Sequence, residues 1–466
     1  MAERYAKLGK NWLLRGWTDA PMAAVNWVTG DVCQLAKKSF YVAESCDGKT
    51  DFDSLAFLPE HNGLLDAMIR EGIAETCREG DSIDPWQEYR KASNPRLMGI
   101  HWCVTGRCNL NCRHCFMESP AGRYGELPSE DMARLVGQFE RANVVQVSLT
   151  GGEPFLRRDI LDIVAMLAGK RINLNQVYSN GLLITEDHLK TIQRMGFSPT
   201  FQISFDGVGA HDQMRGTGGI ESSVIEAIRR VRDAGFRVIV ATCVDRMNAG
   251  RLTDTYDLMK GLGVQSWRIA SPREAGNWRG TTTGLCLSEE AEACVPLMDR
   301  WLKDGKPFYI QLAGFFGGGR KPKGKAAAHA GAGRDERPEY MPESYDCGSC
   351  RERPNLLPDG TLVPCPGYVD SIMPERMPNL LREDLSEVWT GSLLREIASI
   401  RKKDLLARNP ECAACEMFKE CGVGCRASAL TQTGDLMAKD PTACELWKGG
   451  YKKRFQELAD GGAERA

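Results

Sequence analysis

Apolar and polar positions along the chain fall into three regimes. Over residues 1–95, short apolar runs (Met22-Ala23-Ala24-Val25 and Phe40-Tyr41-Val42) precede a helix-like periodicity across 55–73, with Asp47-Gly48 as a turn signal between them. This order predicts a small α+β unit of winged-helix character. Over 96–312 the pattern alternates. Apolar or β-branched runs occur at 99–105, 144–150, 176–179, 201–205, 238–244 and 267–270, separated by amphipathic stretches such as 129–142, with Ser129 as its N-cap, and 220–234. Strand–helix alternation at this spacing predicts an α/β fold with a parallel sheet. Six units are fewer than the eight of a complete barrel, so the expected form is a partial (β/α)6 TIM-like barrel. Residues 313–340, rich in Gly, Lys and Ala, read as a linker or solvated loop. Residues 341–466 form a third, cysteine-rich region.

Composition narrows the class. The chain has 466 residues, with 60 Lys+Arg against 62 Asp+Glu. A near-zero net charge gives no reason to expect nucleic acid or an anionic membrane as partner. No apolar run approaches the ~20 residues of a membrane span. The first residues lack the apolar core of a secretory signal. A cytoplasmic location is the expectation.

The cysteine count changes the picture most. There are 18. Three lie together at Cys108, Cys112 and Cys115, and eight fall between Cys347 and Cys444. At such spacings in a cytosolic chain, clustered cysteines read as metal or redox chemistry. Cys33, Cys46, Cys77, Cys103, Cys243, Cys286 and Cys294 are scattered and expected to be small buried hydrophobes.

The first cluster, Cys108-x3-Cys112-x2-Cys115-Phe116, follows the first barrel strand, on the face that carries chemistry in βα-barrels. An electron-transfer [4Fe–4S] cluster needs four thiolates. Three leave one iron open, as a catalytic zinc site keeps an open position. A zinc loop completed by His114 or Cys103 is the competing reading of these residues. The motif resembles that of the radical S-adenosylmethionine (SAM) enzymes, in which the open iron binds SAM and reductive cleavage gives a 5′-deoxyadenosyl radical. The resemblance extends over residues 98–280. It implies that Gly151, Gly152 and Glu153, after the second strand, meet the SAM amino group. Ser179 and Asn180 after the third strand, and Ser204, Asp206 and Arg215 around the fourth, would contact its ribose or carboxylate. Phe116 would border the cofactor, and Thr242 and Arg268 are further candidates.

The C-terminal spacing is Cys347-x2-Cys350-x9-Gly360-x4-Cys365, then Cys412-x2-Cys415-x5-Cys421-x3-Cys425-x18-Cys444. It resembles the SPASM extension of radical SAM enzymes that modify peptides and proteins. That implies one or two auxiliary iron–sulfur clusters, with Cys347, Cys350, Cys365 and Cys425 at the nearer and Cys412, Cys415, Cys421 and Cys444 at the outer. Zinc ribbons suit the C-x2-C pairs as well. A peptide or protein substrate, ribosomally made and matured by a thioether or carbon–carbon cross-link, and a flavodoxin- or ferredoxin-like electron donor are expected. A tetrapyrrole-modifying enzyme is the alternative. A sulfatase-maturating enzyme is disfavoured, because those relatives carry an Asp base after the cysteine that matches Cys365, where this chain has Pro366. An iron–sulfur electron carrier or a zinc-bearing interaction protein is the non-enzymatic reading. The N-terminal region resembles, in order and size only, the leader-binding elements of peptide maturases.

Overall fold

The computed structural model describes residues 4–54, 56–119, 121–319, 341–369 and 374–461. The N-terminal region contains two small sheets rather than one unit. β1 (Tyr5–Leu8) lies between antiparallel β5 (Asp47–Asp51) and β6 (Ala74–Cys77). Helices α1 (Lys37–Glu44) and α2 (Pro59–Arg70) cover it around Leu8, Val42, Phe52 and Leu65. β2 (Trp12–Gly16), β3 (Ala23–Asn26) and β4 (Val32–Gln34) pair with one another, and β7 (Arg90–Lys91) extends β2. This second sheet buries Leu13, Trp17 and Val25 against Met98 and Val145, at the bottom of the barrel. The predicted helix 55–73 shortens to α2 because Pro59 fixes its first turn.

The six predicted strands are present: β8 (Gly99–Cys103), β9 (Gln146–Thr150), β10 (Asn173–Ser179), β11 (Thr200–Ser204), β12 (Val238–Cys243) and β13 (Ser266–Ala270). Each is parallel to the next. α3 (Ser129–Arg141), α4 (Ile160–Gly169), α5 (Glu186–Arg194), the short α6 (His211–Arg215) with α7 (Glu221–Asp233), and α8 (Leu252–Leu262) cross between them. α3 begins one residue earlier than expected. Pro128 takes the N-cap position, and the Ser129 hydroxyl donates instead to Asp159 Oδ2, at 2.6 Å. After α9 (Leu287–Lys303), β14 (Tyr309–Leu312) adds a seventh parallel strand, and β15 (Phe316–Gly318) turns back antiparallel. β15 lies inside the segment expected to be linker. The rest of that segment, 320–340, is outside the described residues. At the other edge β16 (Asn355–Leu356) runs parallel to β8, and β17 (Leu362–Val363) closes the ten-strand order.

Alternation along each strand sorts the two faces of this sheet. Trp102, Leu149, Ile203, Val240, Trp267 and Ile269 are at most 1% exposed and pack under the helices. The inward positions are polar and only partly covered, among them His101, Ser148, Gln176, Tyr178, Gln202 and Arg268. A hydrophobic outer face thus anchors the sheet, while the concave face is left for a ligand. The last helix, Tyr451–Gly461, returns to the barrel and stacks Phe455 on Phe315. Among the described residues no helix is long and apolar enough to cross a membrane.

None of the 18 cysteines forms a disulfide. Of the scattered seven, Cys46, Cys103 and Cys294 are buried, and Cys33, Cys77 and Cys243 are half-buried. Cys286 departs from the expectation: it is exposed, at the N-cap of α9, where its amide donates to Glu289.

Candidate functional site

The loop after β8 carries Cys108, Cys112 and Cys115 at the C-terminal end of the sheet, and two neighbouring loops hold its shape. Gly151 has φ +136°, and a Cβ there would stand 2.4 Å from Thr105 O; at Gly152 a Cβ would stand 2.1 Å from Arg107 O. The amides of Gly152 and Glu153 donate to those two carbonyls, at 2.8 and 2.9 Å. The glycines therefore let two backbones touch; in this structure their close neighbour is the cysteine loop itself. Gly276, at φ +56°, does the same from the other side, where a Cβ would lie 2.3 Å from Cys115 O. Asn277 then donates from its amide to Cys115 O and from its side chain to Cys112 O, both at 3.0 Å. Phe116 is half-buried against this turn. Gly276 and Asn277 were not singled out from the sequence; a Gly-Asn pair beyond the sixth strand was the only signal.

Glu153 is fully buried. Its carboxylate accepts from Phe155 N (3.1 Å), Ser179 Oγ (2.9 Å) and Asn180 N (2.8 Å). Burial lifts its pKa to about 7 against the pull of those donors. Asn180 donates onward to Asn109 Oδ1, at 2.8 Å. Three expected SAM-contact residues thus form one clamp that ties the β9 and β10 loops to the cysteine loop.

Asp206 and Arg215 form a second clamp. The Arg215 guanidinium meets Asp206 at 2.7 Å and donates to Cys112 Sγ at 3.5 Å, with both side chains under 10% exposed. Cys243 N also donates to Asp206. Burial alone would raise the Asp206 carboxyl, but Arg215 and two nearby imidazoles, His114 and His211, hold it below the usual range. Burial also pushes Cys108 up to about 12 and raises Cys112, where Arg215 opposes it. His114 is lowered to about 4 by burial and lies beside Asp206 and Arg215. Ser204 is half-buried at the end of β11. Thr242 is buried and already shared between Phe205 O and the Trp267 indole.

The eight C-terminal cysteines separate into two sets of four. Cys347, Cys350, Cys365 and Cys425 lie near enough to Tyr368 that its buried phenol feels all four. Within that set the Cys350 thiol donates to Cys347, which falls to about 6 although burial opposes this. Cys412, Cys415, Cys421 and Cys444 line one cavity of about 30 Å³, with Phe418 and Trp447. The sulfurs of a mononuclear zinc site converge to about 2.3 Å of one point. Among the described residues no three His, Cys, Asp or Glu side chains are placed to hold one metal ion. Asp346, next to Cys347, pairs with Lys402 at 2.5 Å and with Arg426 at 3.5 Å; all three are at most 3% exposed. This ion cluster also escaped the sequence reading, because its members are far apart in the chain.

Comparison with known proteins assigns residues 102–259 to the radical SAM superfamily and residues 347–416 to the SPASM iron–sulfur cluster-binding domain. The chain thus carries a radical SAM domain followed by a SPASM domain. Among its relatives, this radical SAM/SPASM chain is 27% identical to the AdoMet-dependent heme synthase of Nitratidesulfovibrio vulgaris over 369 residues, covering 75% of this chain and 92% of the relative. It is 28% identical to the PqqA peptide cyclase of Gluconobacter oxydans over 366 residues, 77% of this chain and 92% of the relative. Streptococcus suis SuiB, solved bound to its precursor peptide SuiA, shares the fold: TM-score 0.65 at 14% identity, over 94% of this chain and 100% of that one. A radical SAM/SPASM enzyme requires a [4Fe–4S] cluster, SAM and auxiliary iron–sulfur clusters. The donor chemistry fits: three sulfurs on one loop, and two further sets of four.

Proposed function

We propose that this enzyme acts on a peptide or protein and matures a ribosomally made peptide by forming a thioether or carbon–carbon cross-link. The observation that carries the reading is the N-terminal unit. β5 and β6 are the outer strands of its three-stranded sheet, and an outer strand offers backbone groups on which an extended peptide can pair. The likeness to SuiB spans this unit, at 94% of the chain, whereas the matches in sequence span about three quarters.

In this reading Cys108, Cys112 and Cys115 hold the catalytic cluster. Bound there, the cluster would supply the electron for reductive cleavage of SAM. Arg215, fixed by Asp206, donates to the sulfur of Cys112 and holds a positive charge at the cofactor. Glu153, Ser179 and Asn180 keep the surrounding loops in register. Phe116, Gly151, Gly152 and Ser204 border the same space. The walls of the sheet exclude water from the reacting atoms. Cys347, Cys350, Cys365 and Cys425 would hold one auxiliary cluster, and Cys412, Cys415, Cys421 and Cys444 the other. A flavodoxin- or ferredoxin-like protein would be the electron donor. Pro366 leaves no carboxylate beside Cys365 for formylglycine chemistry.

A second reading, tetrapyrrole modification, is favoured by the likeness to heme synthases. Anaerobic turnover separates the two. The reconstituted enzyme, SAM and reductant are mixed either with a candidate precursor peptide or with a propionate-bearing tetrapyrrole. The expected result is 5′-deoxyadenosine together with a peptide that has lost two hydrogens per bond formed. Tetrapyrrole turnover with the peptide unchanged would move the enzyme to the second reading.

A further inference from the structure

Arg268 stands at the middle of β13, a strand hydrogen-bonded on both edges, to β12 and to β14. Its neighbours Trp267 and Ile269 are sealed under the helices, at 0% and 1% exposed. Arg268 itself is exposed. With both edges paired and the outer face covered, that exposure is to the concave interior of the barrel. Interior arginines are ordinarily matched by a carboxylate. Here none of the inward positions of β8 to β14 is Asp or Glu. The Arg268 side chain has no ion pair or hydrogen bond among the described residues.

The groups around it point the same way. The charge of Arg268 reaches His101 and Tyr178, which pack edge to face at 4.8 Å. His101 is held neutral, pushed down to about 4 chiefly by burial, so it adds no competing cation. Arg353, which lies over Gly99 at the start of β8, acts on Tyr178 as well. The site is distinct from the Arg215–Asp206 pair beside Cys112. Arg268 is two residues short of the strand end at Ala270, about 7 Å deeper in the barrel at the rise of a strand.

We propose that Arg268, on the same concave face as Tyr178, binds a carboxylate of the substrate on the barrel floor and so selects a peptide with an acidic side chain near the residue that is modified. This rests on the peptide reading above. A guanidinium in a partly desolvated cavity binds a carboxylate through two parallel N–H donors, and a neutral amide cannot replace that pairing.

The test uses cluster-reconstituted, SAM-loaded enzyme and ligand-observed NMR with two probes, N-acetylglutamate N-methylamide and its glutamine counterpart. The wild type is expected to bind the glutamate probe at least about tenfold more tightly than the glutamine probe. Arg268→Gln should erase that preference, and Arg268→Lys should keep part of it. Iron content and the cluster absorption of each variant report that it is folded. Equal binding of the two probes by the wild type, or an undiminished preference in Arg268→Gln, overturns the proposal. So does an equal loss of SAM affinity in Arg268→Gln, which would place Arg268 at the cofactor. A third arm uses coproporphyrin. If it binds through Arg268 while the glutamate probe does not, the carboxylate site stands and the peptide reading falls.

Discussion

Arg215 links three groups that sequence distance hides from one another: Asp206, Cys112 and, through Asp206, the backbone of Cys243. Removing one partner of a buried pair leaves the other charge without compensation, which typically costs ~3–5 kcal/mol. Asp206→Asn is therefore expected to lower the unfolding free energy of the cluster-free chain by about that much in urea; a loss below ~1 kcal/mol would mean the pair is solvated. Glu290 supplies a second expectation. It is 3% exposed, and burial raises its carboxyl to about 7 against the pull of Ser271. An unfolded glutamate titrates near 4.3. The folded chain therefore keeps a proton that the unfolded chain releases between those values, so Glu290 erodes stability as pH rises from about 4.3 to 7 and adds no further loss above that. Relative to wild type, Glu290→Gln should gain on the order of 3 kcal/mol at pH 8 compared with pH 4, read from urea midpoints. A pH-independent difference would refute the buried-carboxyl account. At this scale the sequence marks candidate residues but not whom they touch. Glu153 stood out as a candidate; its bonds to Ser179 and Asn180 were not legible, since they span two loops.

Among elements, the strands were legible and the loop contacts were not. Six strands follow the alternation because each buries one apolar face. β16, two residues long, has no period to read, and β14, four residues long, follows the last alternating unit. The turn glycines differ in kind from those in helices. Gly152 faces Arg107 O with no room for a methyl group, whereas Gly169, near the end of α4, meets nothing within 4 Å. Gly152→Ala must displace the cysteine loop. It is expected to lose about four irons per chain after reconstitution and keep those of the C-terminal sets, while Gly169→Ala keeps all. Equal iron in both variants would show that the β9 loop does not set the cysteine geometry.

For the whole molecule, the question is how cysteines far apart in the chain find their partners. Spacing alone groups Cys425 with Cys421, four residues away. The structure instead sets it with Cys347, Cys350 and Cys365, a grouping legible in advance only through family resemblance. The reason lies beside the thiols. Asp346 precedes Cys347, Arg426 follows Cys425, and the two pair with each other in a site where Lys402 adds a second cation. The ion cluster joins the two cysteine segments, and in the proposed reading a metal centre would complete the cross-link. Iron and sulfide counting after anaerobic reconstitution separates this from a passive role. Wild type should bind about twelve irons, and the Cys108/Cys112/Cys115→Ala triple variant about eight. Asp346→Asn keeps every thiol but leaves Lys402 and Arg426 without their carboxylate. It should also fall to about eight, with the catalytic and outer sets intact. If Asp346→Asn still binds about twelve irons, the thiols assemble without the ion cluster, which then serves only local packing. Zinc in place of iron, undiminished in the triple variant, would return the cysteines to structural ribbons.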